Sequence, residues 1–346
     1  MGMRFRRSIK LGPGVRFNLS KTGVGLSAGA GGVRYSVHSS GRTTKTARLP
    51  GTGVYYMKQT GGRSGGRSTT PRKEVQQPAP AQIASAGLFA PKYEKKFAEA
   101  ARRYVDGDAA GALALFIEAS ALDTTQQAIS DDFFAGSLLA NTGNIDAAIP
   151  YLERVAAAPH GLPDALMTKY IGAALISLPV TPKLTIQVEM GSVAGVLLLA
   201  ECYQEQGRLD EAIGLLQQMH EVAPDKALVV SLCELLALQH EWDEVIELAA
   251  GTTNADDLDL QILIYYGIAL ENKGLLDPAL VVYREALKSK KREPELLWWA
   301  RYNRAGAQLR KGSKARARND FAAIYAENPH YADVAQHVAA LAQMDT

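Results

Sequence analysis

From residue 92 onward apolar positions recur at helical spacing, and the helical stretches come in pairs. A Gly closes one apolar stretch and a small residue follows five positions on. Gly107 with Ala112, Gly143 with Ala148, Gly207 with Ala212, Gly274 with Ala279 and Gly312 with Ala317 all obey this. His240 with Val245 is a degenerate sixth case. The intervals are 36, 64, 33, 34 and 38 residues. A period of about 34 residues predicts a helix-turn-helix solenoid, in which each helix pair buries its apolar face only against its neighbours.

The 64-residue interval breaks the pattern. Asp164 to Leu178 predicts another first helix, with Gly172 at the small-residue position. Pro179 and Pro182 then interrupt it, and Leu184, Ile186, Val188 and Met190 alternate like a strand. This reads as an insertion near 160–192, a helix plus a short extended excursion, with Ser192 as N-cap of the next helix. An eroded seventh repeat is the alternative. His330 to Met344 predicts a C-terminal capping helix.

Ahead of residue 92 the period changes from 3.6 to two. Phe17 and Leu19, Val24 and Leu26, Val33 with Tyr35 and Val37, and Val54 with Tyr56 form short alternating runs between glycine turns. They predict a small β-meander over 1–58, too short in each strand to bury much. Residues 59–91 hold Gly61-Gly62, Gly65-Gly66, Pro71, Pro78 and Pro80 and read as a flexible linker. The expected fold is mainly α. A solenoid of about six helix-turn-helix repeats over 92–346 follows a small Gly-rich β-meander on a flexible linker.

Further positions agree between repeats. The third has Ala200, Tyr203, Gly207, Asp210-Glu211-Ala212-Ile213 and Pro224; the fifth has Gly267, Gly274, Ala279, Tyr283 and Ala286. The sixth has Ala305, Gly312, Ala317, Phe321 and Pro329, and the first has Ala100, Gly107, Ala112, Phe116 and Ala119. In these residues the chain resembles the tetratricopeptide repeat (TPR) family. The opening segment Met3-Arg4-Phe5-Arg6-Arg7-Ser8-Ile9-Lys10-Leu11-Gly12-Pro13-Gly14, with the later Pro50-Gly51-Thr52-Gly53, is similar to a small bacterial family of unknown function. That resemblance implies a small β fold and a bacterial origin, and supplies no activity.

Charge divides the chain. The first 73 residues carry fifteen Lys and Arg and no acid, while all 36 acidic side chains follow. A formal net charge of +2 therefore hides a strongly basic arm on an acidic body. Arg4, Arg6, Arg7, Lys10, Arg16, Arg34, Arg42, Lys45 and Arg48 are the candidate polyanion contacts, with Tyr35, Tyr55 and Tyr56 interleaved. Cations neutralise phosphates with counterion release and aromatics on a sheet can stack bases, so nucleic acid or an anionic surface is the expected partner of residues 1–73, with a second protein partner or a merely solvated basic face as the alternatives.

Other chemistry is thin. The six histidines are scattered without metal-ligand spacing, and Gly23-Val24-Gly25 lacks the third glycine and following helix of a dinucleotide site. No cofactor, metal or catalytic residue is expected, and no enzymatic activity. The longest apolar run, Val193 to Ala200, is far short of the ~20 residues of a membrane span. Gly12-Pro13-Gly14 stands where a secretion signal would be apolar, and Cys202 and Cys233 read as buried free thiols. The expected location is cytoplasmic.

The TPR resemblance implies a groove lined by first helices. Its positions carry over to Glu201, Gln204, Glu205, Glu234, Glu271 and Asn272, while Arg301 and Arg310 switch the sign in the last repeat. The slots of the family's clamp for a terminal carboxylate hold Phe97 and Ala101. The expected ligand is therefore a basic protein or peptide segment, with the chain's own basic arm as an internal candidate. These readings converge on a non-enzymatic adaptor. A nucleic-acid-binding regulator and a membrane-surface assembly factor are the alternatives.

Overall fold

The computed structural model describes residues 6–10, 15–20, 23–30, 33–38, 43–48, 55–60, 83–123, 128–172 and 175–343. Its helices run in consecutive pairs: α1 Lys92–Val105 and α2 Ala109–Leu122, α3 Ser130–Asn141 and α4 Ile145–Ala156, α5 Ser192–Glu205 and α6 Leu209–Val222, α7 Lys226–Leu238 and α8 Trp242–Ala249. The series continues with α9 Asp257–Asn272 and α10 Leu276–Ala286, α11 Pro294–Arg310 and α12 Lys314–Glu327, and ends on α13 Val334–Gln343. The chain divides into two compact units, Met1–Pro179 with Thr185–Arg208, and Val180–Leu184 with Leu209–Thr346.

The repeat-marking residues have a single physical role. Gly107, Gly143, Gly207, Gly274 and Gly312 all have φ between 74° and 91°, and His240 takes the same left-handed conformation at 63°. Each ends a first helix in the same way. The N–H one residue beyond bonds back to the carbonyl five residues earlier: Asp108 to Arg103 at 2.9 Å, Asn144 to Leu139 at 3.0 Å, Arg208 to Tyr203 at 2.9 Å, Glu241 to Leu236 at 2.9 Å, Leu275 to Leu270 at 2.8 Å and Ser313 to Gln308 at 2.8 Å. This closes the carbonyls left open at a helix end and turns the chain for its antiparallel partner. His240 accepts a backbone that glycine takes at lower cost.

The small residues five positions on, Ala112, Ala148, Ala212, Ala279 and Ala317, are completely buried, as is Val245. In the first unit Phe97 meets Phe116 edge-on at 5.5 Å, and Phe116 stacks on Phe134 at 4.8 Å. In the second unit Leu270, Ala279, Tyr283 and Ala307 form one core cluster, and Ala305, Ala317, Phe321 and Ile324 contribute to another. Asp108, Asp225 and Asp256 cap α2, α7 and α9 by accepting from backbone N–H groups.

The N-terminal strands are β1 Arg6–Lys10, β2 Val15–Ser20, β3 Gly23–Ala30, β4 Val33–His38, β5 Thr43–Arg48 and β6 Tyr55–Thr60. β5 (TTKTAR) and β1 (RRSIK) escape the alternation signal because they hold almost no apolar residue. The insertion adds β7 Leu175–Thr181 and β8 Leu184–Glu189, giving the sheet order β6-β5-β4-β3-β2-β1-β7-β8. β1 pairs antiparallel with β7 through Ser8 with Ser177, Ile9 with Ile176 and Lys10 with Leu175. The meander is thus continuous with the insertion through strand pairing, which no local signal indicates. Residues 61–82, the body of the expected linker, lie outside the described residues.

Two expectations about the insertion are corrected. The helix over 164–178 shrinks to a π-helical turn, Met167–Ile171, and the chain is a strand from Leu175 onward. Pairing with β1 supplies the hydrogen bonds that a helix would have made, so tertiary context overrides the helical spacing. Ser192 is not the N-cap; Gly191 holds that place. The Ser192 hydroxyl instead donates to the Ala158 carbonyl and accepts from the Leu162 N–H, both at 3.3 Å.

Among the described residues no helix is long and apolar enough to cross a membrane. Cys202 and Cys233 are buried and not joined in a disulfide, and burial pushes the Cys233 thiol up to about 12.

Candidate functional site

In the second unit the first helices lie side by side, α7 against α9 and α9 against α11. Their two faces differ by sequence. On α9, Gly267 faces α10, because a Cβ there would stand 2.4 Å from the Tyr283 ring. Gln261 and Tyr265, one helical turn apart, lie on the opposite side. On α11 the buried Ala305 belongs to the core shared with Ala317 and Phe321, whereas Glu295 and Trp299 share the other side. Tyr265 and Trp299 meet edge-on at 5.2 Å and join the two helices into one polar and aromatic surface.

That surface carries the tip of the β7–β8 hairpin, Val180–Leu184, which belongs to this unit. Thr181 Oγ1 accepts from Gln261 Nε2 at 2.6 Å, and both residues are buried. The same oxygen accepts the backbone N–H groups of Lys183 at 3.3 Å and Leu184 at 3.2 Å, closing the turn around Pro182. The Lys183 ammonium lies 5.5 Å from the Trp299 ring centroid, 6.0 Å from that of Tyr331, and 3.8 Å from the Glu295 carboxylate. An ammonium over two aromatic faces beside a carboxylate is a lysine-reading arrangement.

In the first unit the candidate polyanion contacts Arg6, Arg7, Lys10, Arg16, Arg34, Lys45 and Arg48 fall on strands β1, β2, β4 and β5, and Lys10 pairs with Arg16 in the register. Arg4 and Arg42 lie outside the described residues.

Comparison with known proteins agrees with these elements. Residues 3–57 match a family described as Protein of unknown function (DUF4236), and residues 186–236 match the Tetratricopeptide repeat. The DUF4236 likeness thus spans the N-terminal strands from β1 into β6, and the tetratricopeptide likeness runs from β8 to α7. No curated protein matches the chain. Similar solved structures include the N-terminal domain of the EccA1 ATPase from the ESX-1 secretion system of Mycobacterium tuberculosis, at 17% identity over 71% of this chain and 88% of that one, TM-score 0.49. YrrB, a TPR protein with an unusual peptide-binding site, is similar at 12% identity over 63% of this chain and 95% of that one, TM-score 0.43. MamA AMB-1 is similar at 19% identity over 56% of this chain and 95% of that one, TM-score 0.37.

The acids expected to line the tetratricopeptide groove are distributed over both units. Glu201, Gln204 and Glu205 stand on α5 in the first; Glu234, Glu271 and Asn272 stand on α7 and α9 in the second. Glu205 and Asn272 are exposed, while Glu201, Gln204 and Glu234 are half-buried. The Asn272 amide donates to the Ile268 carbonyl of its own helix at 2.8 Å. Glu271 is buried, accepts from the Tyr283 hydroxyl and pairs with Arg310. Its carboxylate is spent on holding the tetratricopeptide helices together, which also accounts for Arg310. Arg301 likewise pairs with Glu327 at 2.9 Å.

Sequence reasoning missed Gln261, Glu295, Trp299 and Tyr331 as a group. Gln261 and Trp299 lie in the second turns of α9 and α11, and only the docked tip marks them. It also missed a buried acid. Asp131, at the start of α3, is completely buried and neither carboxyl oxygen has a hydrogen-bond partner among the described residues. Burial, and then the charges of Asp164, Asp132 and Asp123, push its carboxyl up to about 9. Its neighbours are spoken for. Asp132 receives Arg154 through two nitrogens, at 2.7 and 2.9 Å, Asp164 accepts from the Ser130 and Met167 N–H groups, and Asp123 from that of Ala128.

Proposed function

We propose that this chain is a bacterial, cytoplasmic, non-enzymatic adaptor: its repeats hold a basic segment of a protein partner, and its N-terminal sheet contacts a polyanion or a second partner. The observation that carries the first half is the seating of a lysine-bearing hairpin turn, Thr181-Pro182-Lys183, on the first helices α9 and α11. A surface that accommodates such a segment from its own chain has the depth and the polar groups to take one from elsewhere. Glu201, Gln204, Glu205, Glu234 and Asn272 are the further side chains proposed to meet a basic partner; Glu271 is buried and paired with Tyr283 and Arg310.

Charge reversal tests this reading. In the full chain, Glu201→Lys, Glu205→Lys and Glu234→Lys together are expected to weaken binding of a lysine-rich fluorescent peptide at least ten-fold by anisotropy, with unchanged far-UV circular dichroism. Equal affinity for both proteins would remove these acids from the site. Loss of helical signal would make them structural.

A second reading, the nucleic-acid-binding regulator, draws on the N-terminal register. Five cations, Arg6, Lys10, Arg16, Arg34 and Arg48, lie on strands β1, β2, β4 and β5, and Lys10 pairs with Arg16 in the register. Five phosphate contacts imply a log–log salt slope of roughly −4.5 on duplex DNA, two to three powers of ten in affinity between 50 and 200 mM salt. Substituting all five by Gln is expected to flatten that slope; a flat slope in the parent chain would dismiss nucleic acid. Binding to anionic but not neutral vesicles would favour the membrane-surface alternative.

A further inference from the structure

We propose that the Gln261–Trp299 surface of the second unit is a docking site for a lysine-bearing turn of a partner protein, and that the chain's own Thr181-Pro182-Lys183 turn fills it in cis. This rests on the adaptor reading above and names what that surface selects and what guards it.

The site reads two things at a fixed separation. Gln261 takes a hydroxyl-bearing residue through its amide nitrogen, at 2.6 Å from Thr181. Two residues on, the Trp299 and Tyr331 rings and the Glu295 carboxylate frame an ammonium. Pro182 between them restricts the backbone, so the turn arrives already shaped and loses little freedom on docking. A longer or straighter segment would not place both groups at once.

The cis turn fits incompletely. Lys183 keeps 31% of its side chain exposed and meets Glu295 only at 3.8 Å, the outer edge of an ion pair. Gln261 is fully buried, yet its Oε1 has no hydrogen-bond partner among the described residues. A buried acceptor left unmet opposes docking, and the cis turn leaves that opposition in place. A partner turn that brings a donor to Gln261 Oε1 and an ammonium closer to Glu295 satisfies the surface better. The hairpin holds its place through its buried Val180 and Leu184, the Gln261–Thr181 bond and tethering, the last at an effective concentration on the order of millimolar. It therefore excludes weak, non-specific basic segments and yields to a better-matched one.

The test uses the full chain and a fluorescent cyclic peptide carrying the five residues of the tip, Val-Thr-Pro-Lys-Leu. Thr181→Ala with Lys183→Glu removes the Gln261 contact and sets a carboxylate against Glu295, which expels the cis turn. This variant is expected to bind the peptide at least ten-fold more tightly than the parent chain. Adding Trp299→Ala is expected to abolish the gain, and so is adding Glu295→Lys, which attracts the altered turn back and repels the peptide's lysine. Equal affinity of the parent and the double variant would overturn the proposal, as would a gain that survives both additions. A parent dimer that Lys183→Glu dissociates would place a second copy's turn in the site and overturn cis occupancy. If the cyclic peptide fails while the lysine-rich peptide still binds through Glu201, Glu205 and Glu234, the lysine-turn site falls and the adaptor reading stands. If both peptides fail, both fall.

Discussion

Asp131→Asn stabilises the protein at neutral and alkaline pH, by on the order of 4 kcal/mol at pH 7. The expectation follows from proton linkage. The carboxyl ionises near its ordinary value of 3.8 when the chain is unfolded and at about 9 when folded. Between those values the folded state holds a proton that the unfolded state has released, so stability falls as pH rises from about 4 to about 9, then levels off. Each pH unit in that window is worth about 1.4 kcal/mol. Asparagine occupies nearly the same volume, carries no proton to retain, and leaves a neutral buried group much like the protonated acid it replaces. The gain is therefore near zero at pH 4, and the slope disappears from the variant. Urea unfolding followed by circular dichroism at pH 5 and pH 8 measures it. Parallel pH dependence in parent and variant would mean that Asp131 is solvated or paired in solution.

Gly267→Ala is expected to destabilise the second unit by roughly 1–3 kcal/mol, although alanine is the better helix former by about 1 kcal/mol. The added methyl would stand 2.4 to 2.9 Å from three ring atoms of Tyr283. That ring cannot swing aside, because it is completely buried and its hydroxyl donates to Glu271. The clash thus outweighs the propensity gain. Tyr283→Leu is itself costly, since it removes the aromatic filler and leaves Glu271 with Arg310 but without the tyrosine hydroxyl. In its background, however, Gly267→Ala should become neutral or favourable, as the obstacle is gone. If the alanine cost is the same in both backgrounds, the close packing of α9 on α10 is not its source. The same contact explains why the repeat needs a residue without a side chain at this place in a first helix, where other repeats carry Ala200 or Ala305.

The repeat array was legible because its determinants are local. A glycine with a left-handed backbone, a Schellman-type closure and a small residue five positions later can each be read from a few neighbouring residues. The helix caps Asp108, Asp225 and Asp256 are local in the same sense. The sheet was half legible. β2, β3, β4 and β6 show alternation, whereas β1 and β5 are strands only because neighbours pair with them. The insertion was misread where pairing partners are distant: Leu175 to Thr181 follows β1, more than 160 residues earlier in the chain.

The candidate site shows the same division more sharply. Glu271 occupies a position that sequence alone assigns to a ligand-facing surface, and a tyrosine twelve residues later together with Arg310 takes its carboxylate inward. Asp131 and Asp132 are adjacent and chemically identical, yet Asp132 meets Arg154 while the Asp131 carboxyl has no hydrogen-bond partner among the described residues. Gln261, Glu295, Trp299 and Tyr331 come from two helices and a connecting turn, and the lysine they surround lies on an inserted hairpin. Periodicity, turn chemistry and charge segregation along the chain determined that this protein is a helical repeat array behind a basic sheet. Which polar groups are consumed inside and which remain for a partner was decided only by tertiary packing, because burial and pairing depend on residues far apart in sequence.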